Sequence, residues 1–145
     1  FGDIRDPKTG SIIAGARSKT LGPVRIGTGE KFANTLDMMR SFTGRKVMGF
    51  ASKQNTVIGV VATNAKLTKE EINKVAQMAQ NGLALTIQPA HTMFDGDTLF
   101  SIATNRRAAD VNVVGAFAVE VVAAAVLSAV LSAKSIPGLP SSKEY

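Results

Sequence analysis

The chain contains no cysteine, which excludes disulfides, thiolate metal sites and cysteine nucleophiles in one step. It has no tryptophan and a single tyrosine, Tyr145. The aromatic platforms on which single-stranded nucleic acids stack are therefore reduced to scattered phenylalanines such as Phe32, Phe42 and Phe50. Acidic residues are also scarce: 11 Asp and Glu against 17 Lys and Arg give a formal charge of +6. All of that excess lies in one stretch, where Arg17, Lys19, Arg25, Lys31, Arg40, Arg45, Lys46 and Lys53 face only Glu30 and Asp37. Without interleaved aromatics this stretch reads as a solvated linker, and no nucleic-acid partner is expected. The start, Phe1 to Pro7, lacks the basic and then apolar layout of a secretory signal, and with the absence of cysteine this fits a cytoplasmic setting. It also lacks an initiating methionine, so the expectation is a piece of a longer polypeptide. What remains is 145 residues, 45% hydrophobic and 19% charged, the size and balance of one packed domain.

Asp6-Pro7-Lys8-Thr9-Gly10 is a turn signal, and Ser11 to Ala16 reads as a short strand after it, so a hairpin is expected. From Arg17 to Gln54 glycines and Gly22-Pro23 break any period, leaving room for one short helix between Lys31 and Phe42. A stretch this long with little regular structure is usually functional or disordered. Thr56 to Thr63 is a buried-strand candidate. Thr68 and Glu71 have the spacing of a capping box, with Glu70 placed against the positive helix start. Ile72, Val75, Ala76, Ala79 and Leu83 then recur at spacings of three and four, predicting an amphipathic helix that ends near Asn81-Gly82 or runs on to Ile87 before Pro89. Thr98 to Thr104 alternates as a strand does.

Val113 to Ala133 is apolar apart from Glu120 and long enough to span a bilayer. Its many small residues and mid-segment carboxylate favour a helix packed on a sheet over a membrane span. Strand, helix, strand, helix after a hairpin gives a layered domain of the α+β or α/β class.

Two places carry chemistry. At Asn55-Thr56, cleavage of the peptide bond would leave Thr56 with a hydroxyl nucleophile and an α-amine on adjacent carbons. That amine has an unperturbed pKa of roughly 7.7 to 8.0, suited to a general base near neutrality. Read from the dipeptide alone, Thr56 is far more readily a threonine opening a strand. In His91 to Thr98, Asp95 and Asp97 flank Gly96, an arrangement that binds a hard cation, orients a protonated amine or makes a tight turn. A metal needs more oxygen ligands than these two, and His91 in such a loop is more often a hydrogen-bonded structural residue. No metal and no cofactor are expected.

Asn55 to Ala65, Leu67 to Lys69, Ala79 to Ala84 and above all His91-Thr92-Met93-Phe94-Asp95-Gly96-Asp97-Thr98 resemble the C-terminal part of the L-aminopeptidase/D-esterase family. Within it the likeness is to the nylon-oligomer hydrolases that act on 6-aminohexanoate oligomers. Gly2 to Gly10 and Ile12 to Ala16 resemble the segment ahead of that family's cleavage loop, and only residues 17–54 do not match well. The resemblance implies an N-terminal nucleophile hydrolase with a four-layer αββα sandwich, made as a precursor and self-cleaved. Thr56 would attack the Asn55 carbonyl and then serve as amidase nucleophile, with Asp95 and Asp97 positioning its amine. Residues 1–55 would be the end of the pre-cleavage segment and 56–145 the nucleophile-bearing subunit, both within one domain. The resemblance further implies a homo-oligomer, a tetramer, acting on linear amides. It also implies that a catalytic lysine and an oxyanion-hole asparagine come from a region preceding Phe1. An aminopeptidase, D-esterase or β-peptidase acting on short peptides is the nearest alternative. A non-enzymatic module using the basic segment and a membrane-anchored piece using Val113 to Ala133 are further ones.

Overall fold

The computed structural model describes residues 2–42, 44–46 and 56–144. In chain order they form β1 (Asp3–Arg5), β2 (Ile12–Ala14), β3 (Lys19–Leu21), β4 (Val24–Ile26), α1 (Thr35–Arg40), β5 (Ile58–Lys66), α2 (Lys69–Thr86), β6 (Ile87–Gln88), β7 (Thr98–Ala108) and α3 (Val111–Ser132), then a 3-10 turn at Ser142–Glu144. The mixture of helix and sheet is of the α+β class.

Helix α2 starts where its sequence signal stands. The Thr68 hydroxyl accepts the Glu71 N–H at 3.3 Å, and the Glu71 carboxylate accepts the Thr68 N–H at 2.8 Å, a complete capping box. At the other end the helix takes the longer of the two expected courses. Thr86 is its last residue, and its buried hydroxyl donates back to the carbonyls of Gly82 and Leu83. Helix α3 begins two residues earlier than its apolar run, because Asp110 caps it by accepting the N–H groups of Asn112 and Val113 at 2.8 and 3.2 Å.

The core lies between these two helices and one face of β5 and β7. Val75, Ala79 and Leu83 of α2 meet Ala118 and Val122 of α3 and Val61, Ala65 and Leu99 of the strands, all buried. Each buried Val or Leu contributes about 1.5–3 kcal/mol of transfer free energy, so this cluster anchors the C-terminal half. Two glycines let the helices approach closely. A methyl group on Gly82 would stand 2.6 Å from the Val119 carbonyl oxygen, and one on Gly115 would stand 2.3 Å from the Met78 sulfur. Glu120, the one charge in α3, is exposed, away from this contact.

β5 and β7 run parallel, in register from Ile58↔Thr98 to Thr63↔Ala103, with α2 as the crossover between them. Beyond Thr63 the register shifts, so that Ala65 pairs with Arg107. Asn105, at φ 55°, turns inside this bulge, and its side-chain oxygen accepts the Leu67 N–H at 3.0 Å. Asparagine suits the left-handed region better than most residues. The sequence reading expected Thr56 to Thr63 to be a buried strand. Instead β5 alternates: Val61 and Ala65 face the helices, while Ile58 and Val60 are 72% and 62% exposed. Phe100 and Ile102 of β7 lie open on that same outer face. Parallel sheets are normally covered on both sides, so a second layer is missing from this face among the described residues.

The first half of the chain is more ordered than the glycine-punctuated sequence suggests. β3 and β4 form a hairpin closed by Gly22-Pro23, with Gly22 at φ 59°, where the sequence reading placed an irregular linker. The expected short helix is α1, and the hairpin expected around Asp6 to Gly10 is β1 with β2. β1 also pairs with β6, which ties the first half to the end of α2. Asp3 is fully buried and accepts both the N–H and the hydroxyl of Thr35, at 2.7 and 2.9 Å, so a carboxylate on β1 caps α1. Gly15 makes this possible, since a side chain there would collide with the Asp3 carboxylate.

Candidate active site

The residues singled out in the sequence meet at the N-terminal ends of the two parallel strands. Thr56 stands two residues before β5 and is exposed; Asp95, Gly96 and Asp97 lead directly into β7. The pairing Ile58↔Thr98 forces these two leads side by side. Their union is clamped by two hydrogen bonds: Asp97 Oδ1 accepts the Val57 N–H at 2.8 Å, and the Val57 carbonyl accepts the Thr98 N–H at 2.8 Å. Asp97 thereby fixes the backbone of the residue that follows the candidate nucleophile.

Gly96 is a site residue that the sequence reading passed over. The Thr56 side chain lies on it, so closely that a methyl group built there would stand 2.9 Å from Thr56 Oγ1. The hydroxyl therefore rests on a floor that has no side chain, with one aspartate on either side of that floor in sequence. The signal was present as the small residue between two carboxylates, but only the fold shows what it makes room for.

Asp95 has a second task. Its Oδ2 accepts the N–H and the hydroxyl of Thr92, at 2.8 and 2.9 Å, and its own N–H donates to the Thr92 carbonyl at 3.0 Å, closing the turn ahead of β7. Burial pushes the Asp95 carboxyl up, but hydrogen bonds, those from Thr92 among them, outweigh it and hold the group below the ordinary carboxylate value. A carboxyl depressed in the folded state stabilises at pH above its unfolded value, and that stability is lost as pH falls through the folded value. Asp95→Asn is therefore expected to melt below the wild type at pH 7, with the gap closing in acid below the ordinary carboxylate range. Thermal melts at pH 7 and pH 3 check this; a gap that is unchanged or wider at pH 3 contradicts it. Because the group is largely solvated, the gap at pH 7 should be small.

His91 is exposed at φ 56° in the loop ahead of Thr92. No group of three or more His, Cys, Asp or Glu gathers as a metal site among the described residues. Asn55, the other half of the expected cleavage junction, lies outside the described residues, as does all of the segment 47–54 that leads to it. Chemically, the site offers an exposed secondary hydroxyl next to two carboxylates at a strand entrance.

Residues 9–143 match the model of peptidase family S58. An uncharacterized aminopeptidase of Mycobacterium leprae (strain TN) is 44% identical over 124 residues, covering 71% of this chain and 34% of that protein. An uncharacterized aminopeptidase of Mycobacterium tuberculosis (strain ATCC 25618 / H37Rv) is 38% identical over 110 residues, 66% of this chain and 32% of its own length. A 6-aminohexanoate-oligomer endohydrolase of Paenarthrobacter ureafaciens is 30% identical over 96 residues, 66% of this chain and 27% of that enzyme. The chain thus spans about a third of the length of the curated relatives it matches. A match that runs through nearly the whole chain, including the strand entrance where Thr56, Gly96 and Asp97 meet, places it in peptidase family S58.

Proposed function

We propose that this chain is the nucleophile-bearing part of a self-processing amide hydrolase, with Thr56 as nucleophile. The observation that carries the reading is the packing of the Thr56 hydroxyl against Gly96, between two aspartates, at an exposed strand entrance. In the precursor the Thr56 hydroxyl attacks the Asn55 carbonyl carbon, the C–N bond breaks, and the acyl group passes from nitrogen to oxygen. Water then hydrolyses the ester, leaving an Asn55 carboxylate and a free Thr56 amine. In turnover that amine takes the hydroxyl proton as Oγ1 attacks a substrate amide, and returns a proton to the leaving amine. Water resolves the acyl-threonine in the second half of the cycle. Asp97 holds the backbone beside the nucleophile, and Asp95 supplies negative charge that favours the protonated amine.

The substrate class is linear amides. The names of the relatives, aminopeptidases and 6-aminohexanoate-oligomer endohydrolases, bracket it between short peptides and ω-amino-acid oligomers. Oxyanion donors, a catalytic lysine and pocket walls come from parts of the polypeptide outside these residues or from neighbouring subunits in a homo-oligomer. The open apolar face of Ile58, Val60, Phe100 and Ile102 supports the four-layer αββα arrangement, in which a second sheet covers this one. Helix α3 is long and apolar enough to cross a membrane, yet its contacts with α2 and β5 favour a packed layer of that sandwich.

Mass spectrometry of the purified full-length protein tests the mechanism. Two fragments are expected, one ending at Asn55 and one beginning at Thr56. An intact chain in an active preparation overturns the reading.

A further inference from the structure

Thr92 makes two hydrogen bonds to a single carboxylate oxygen. Its N–H and its hydroxyl both donate to Asp95 Oδ2, at 2.8 and 2.9 Å. The Asp95 N–H returns to the Thr92 carbonyl at 3.0 Å, so backbone and side chain close the turn together. The Thr92 hydroxyl also accepts the Phe94 N–H, at 3.3 Å. A hydroxyl has one proton to donate and two lone pairs with which to accept. With a lone pair engaged by the Phe94 N–H, the proton is directed at the carboxylate, in the order Phe94 N–H, Thr92 O–H, Asp95 Oδ2.

The torsions of aspartate give this relay its purpose. Rotation of a carboxylate about its last carbon–carbon bond is broad and roughly two-fold, so an unrestrained Asp95 would sweep its charge through a wide arc. Two donors converging on one oxygen remove that freedom, and hydrogen bonds to an ionised acceptor are the stronger kind. Asp97 is fixed in another way. Its Oδ1 accepts the Val57 N–H at 2.8 Å, a backbone donor that persists whatever side chain stands at 57, proline excepted. Asp95 instead takes its aim from a neighbouring hydroxyl, and it adjoins Gly96, on which the Thr56 side chain rests.

We infer that Thr92 is a positioning residue for turnover, aiming the Asp95 carboxylate at the amine of Thr56 and holding it there before substrate arrives. Resting on the proposed reading of Thr56 as an N-terminal nucleophile, this role adds a residue to that site. A carboxylate already fixed by the fold stabilises an ammonium with no reorganisation during the reaction, the basis of electrostatic preorganisation. The role also divides the two reactions of the site. In the precursor the Thr56 nitrogen belongs to a peptide bond and carries no charge, so the aim of Asp95 has little to act on. Once cleavage frees the amine, that nitrogen alternates between base and ammonium, and the aim of Asp95 counts in every cycle. Thr92 therefore serves hydrolysis and not self-cleavage.

Kinetics of full-length variants test this. Thr92→Val keeps the β-branched shape and loses the hydroxyl, and Thr92→Ala loses it without adding apolar surface. Both are expected to cleave themselves within about twofold of the wild-type rate, and to hydrolyse a linear amide with kcat about tenfold lower and KM within about twofold. The loss is partial because the Thr92 N–H still reaches Oδ2. Thr92→Ser restores the hydroxyl and should restore kcat. In an Asp95→Asn background Thr92→Val should add no further loss, because the charge that Thr92 aims is already gone. Wild-type kcat in both hydroxyl-free variants overturns the inference, as does a loss that serine fails to restore. Equal slowing of self-cleavage and turnover would make Thr92 a structural member of the turn and overturn it too. Additive losses with Asp95→Asn would show that Thr92 does not act through that carboxylate. The nucleophile reading fails on a different result, hydrolysis by Thr56→Ala, so the two failures are told apart.

Discussion

The Thr56→Ala protein is expected to accumulate as an uncut precursor with no measurable amidase activity. Both losses follow from one atom, because Oγ1 of residue 56 is the attacking group in self-cleavage and again in turnover. Removing a nucleophile that works as a unit with its base typically costs on the order of 10⁴- to 10⁶-fold in turnover. The fold should survive, since Thr56 is exposed and the strand entrance is held by the Val57 bonds to Asp97 and Thr98 rather than by the threonine side chain. Electrophoresis or intact mass reads the first loss and hydrolysis of a linear amide reads the second. Asp97→Ala serves as contrast: it keeps the nucleophile but frees the Val57 backbone, so it should process and turn over slowly rather than not at all. Normal cleavage in Thr56→Ala would remove Thr56 from the mechanism, and cleavage without hydrolysis would confine its role to catalysis.

Local signals in the sequence located most elements of the C-terminal half. The Thr68 and Glu71 pair placed the start of α2, and the alternation of Thr98 to Thr104 placed β7, because capping and strand period depend on near neighbours alone. Where chain meets chain at a distance, the same reading fell short. Gly22-Pro23 read as a break, yet it closes the β3–β4 hairpin, whose three-residue strands are too short to show a period. No local signal marks Asp3 as a cap, and only the approach of Thr35 from 32 residues away makes it one. The valine and isoleucine content of residues 56–63 reads as a buried strand. That content suits a strand covered twice, and the described residues cover it once. The nucleophile and the paired aspartates were legible as residue types, and the resemblance joined them. Their meeting across the β5–β7 pair comes from register, which no local window contains.

The second large effect is expected at Gly96, and it separates the site's geometry from its composition. The backbone of Gly96 lies outside the left-handed region, so alanine fits its conformation without strain. The added methyl meets Thr56 Oγ1 at 2.9 Å and the Thr56 Cγ2 and Cβ at 3.8 and 3.9 Å, so the hydroxyl alone is crowded. Thr56 relieves this by turning χ1 to another staggered well, which carries Oγ1 away from the floor while leaving the chain in place. A displacement of about 1 Å in a reacting group can cost on the order of 10²-fold in rate. Gly96→Ala is therefore expected to slow both self-cleavage and turnover by about 10²-fold, while thermal stability changes by less than about 1 kcal/mol. Thr56→Ser lacks the γ-methyl and turns more freely, so in the Gly96→Ala background it should recover part of the lost rate, giving a coupling that two independent sites would not show. Wild-type processing and turnover in Gly96→Ala would mean that the hydroxyl does not react from the position it holds against Gly96. Additive losses in the double variant would mean that the methyl acts through the turn at Asp95 and not through the nucleophile.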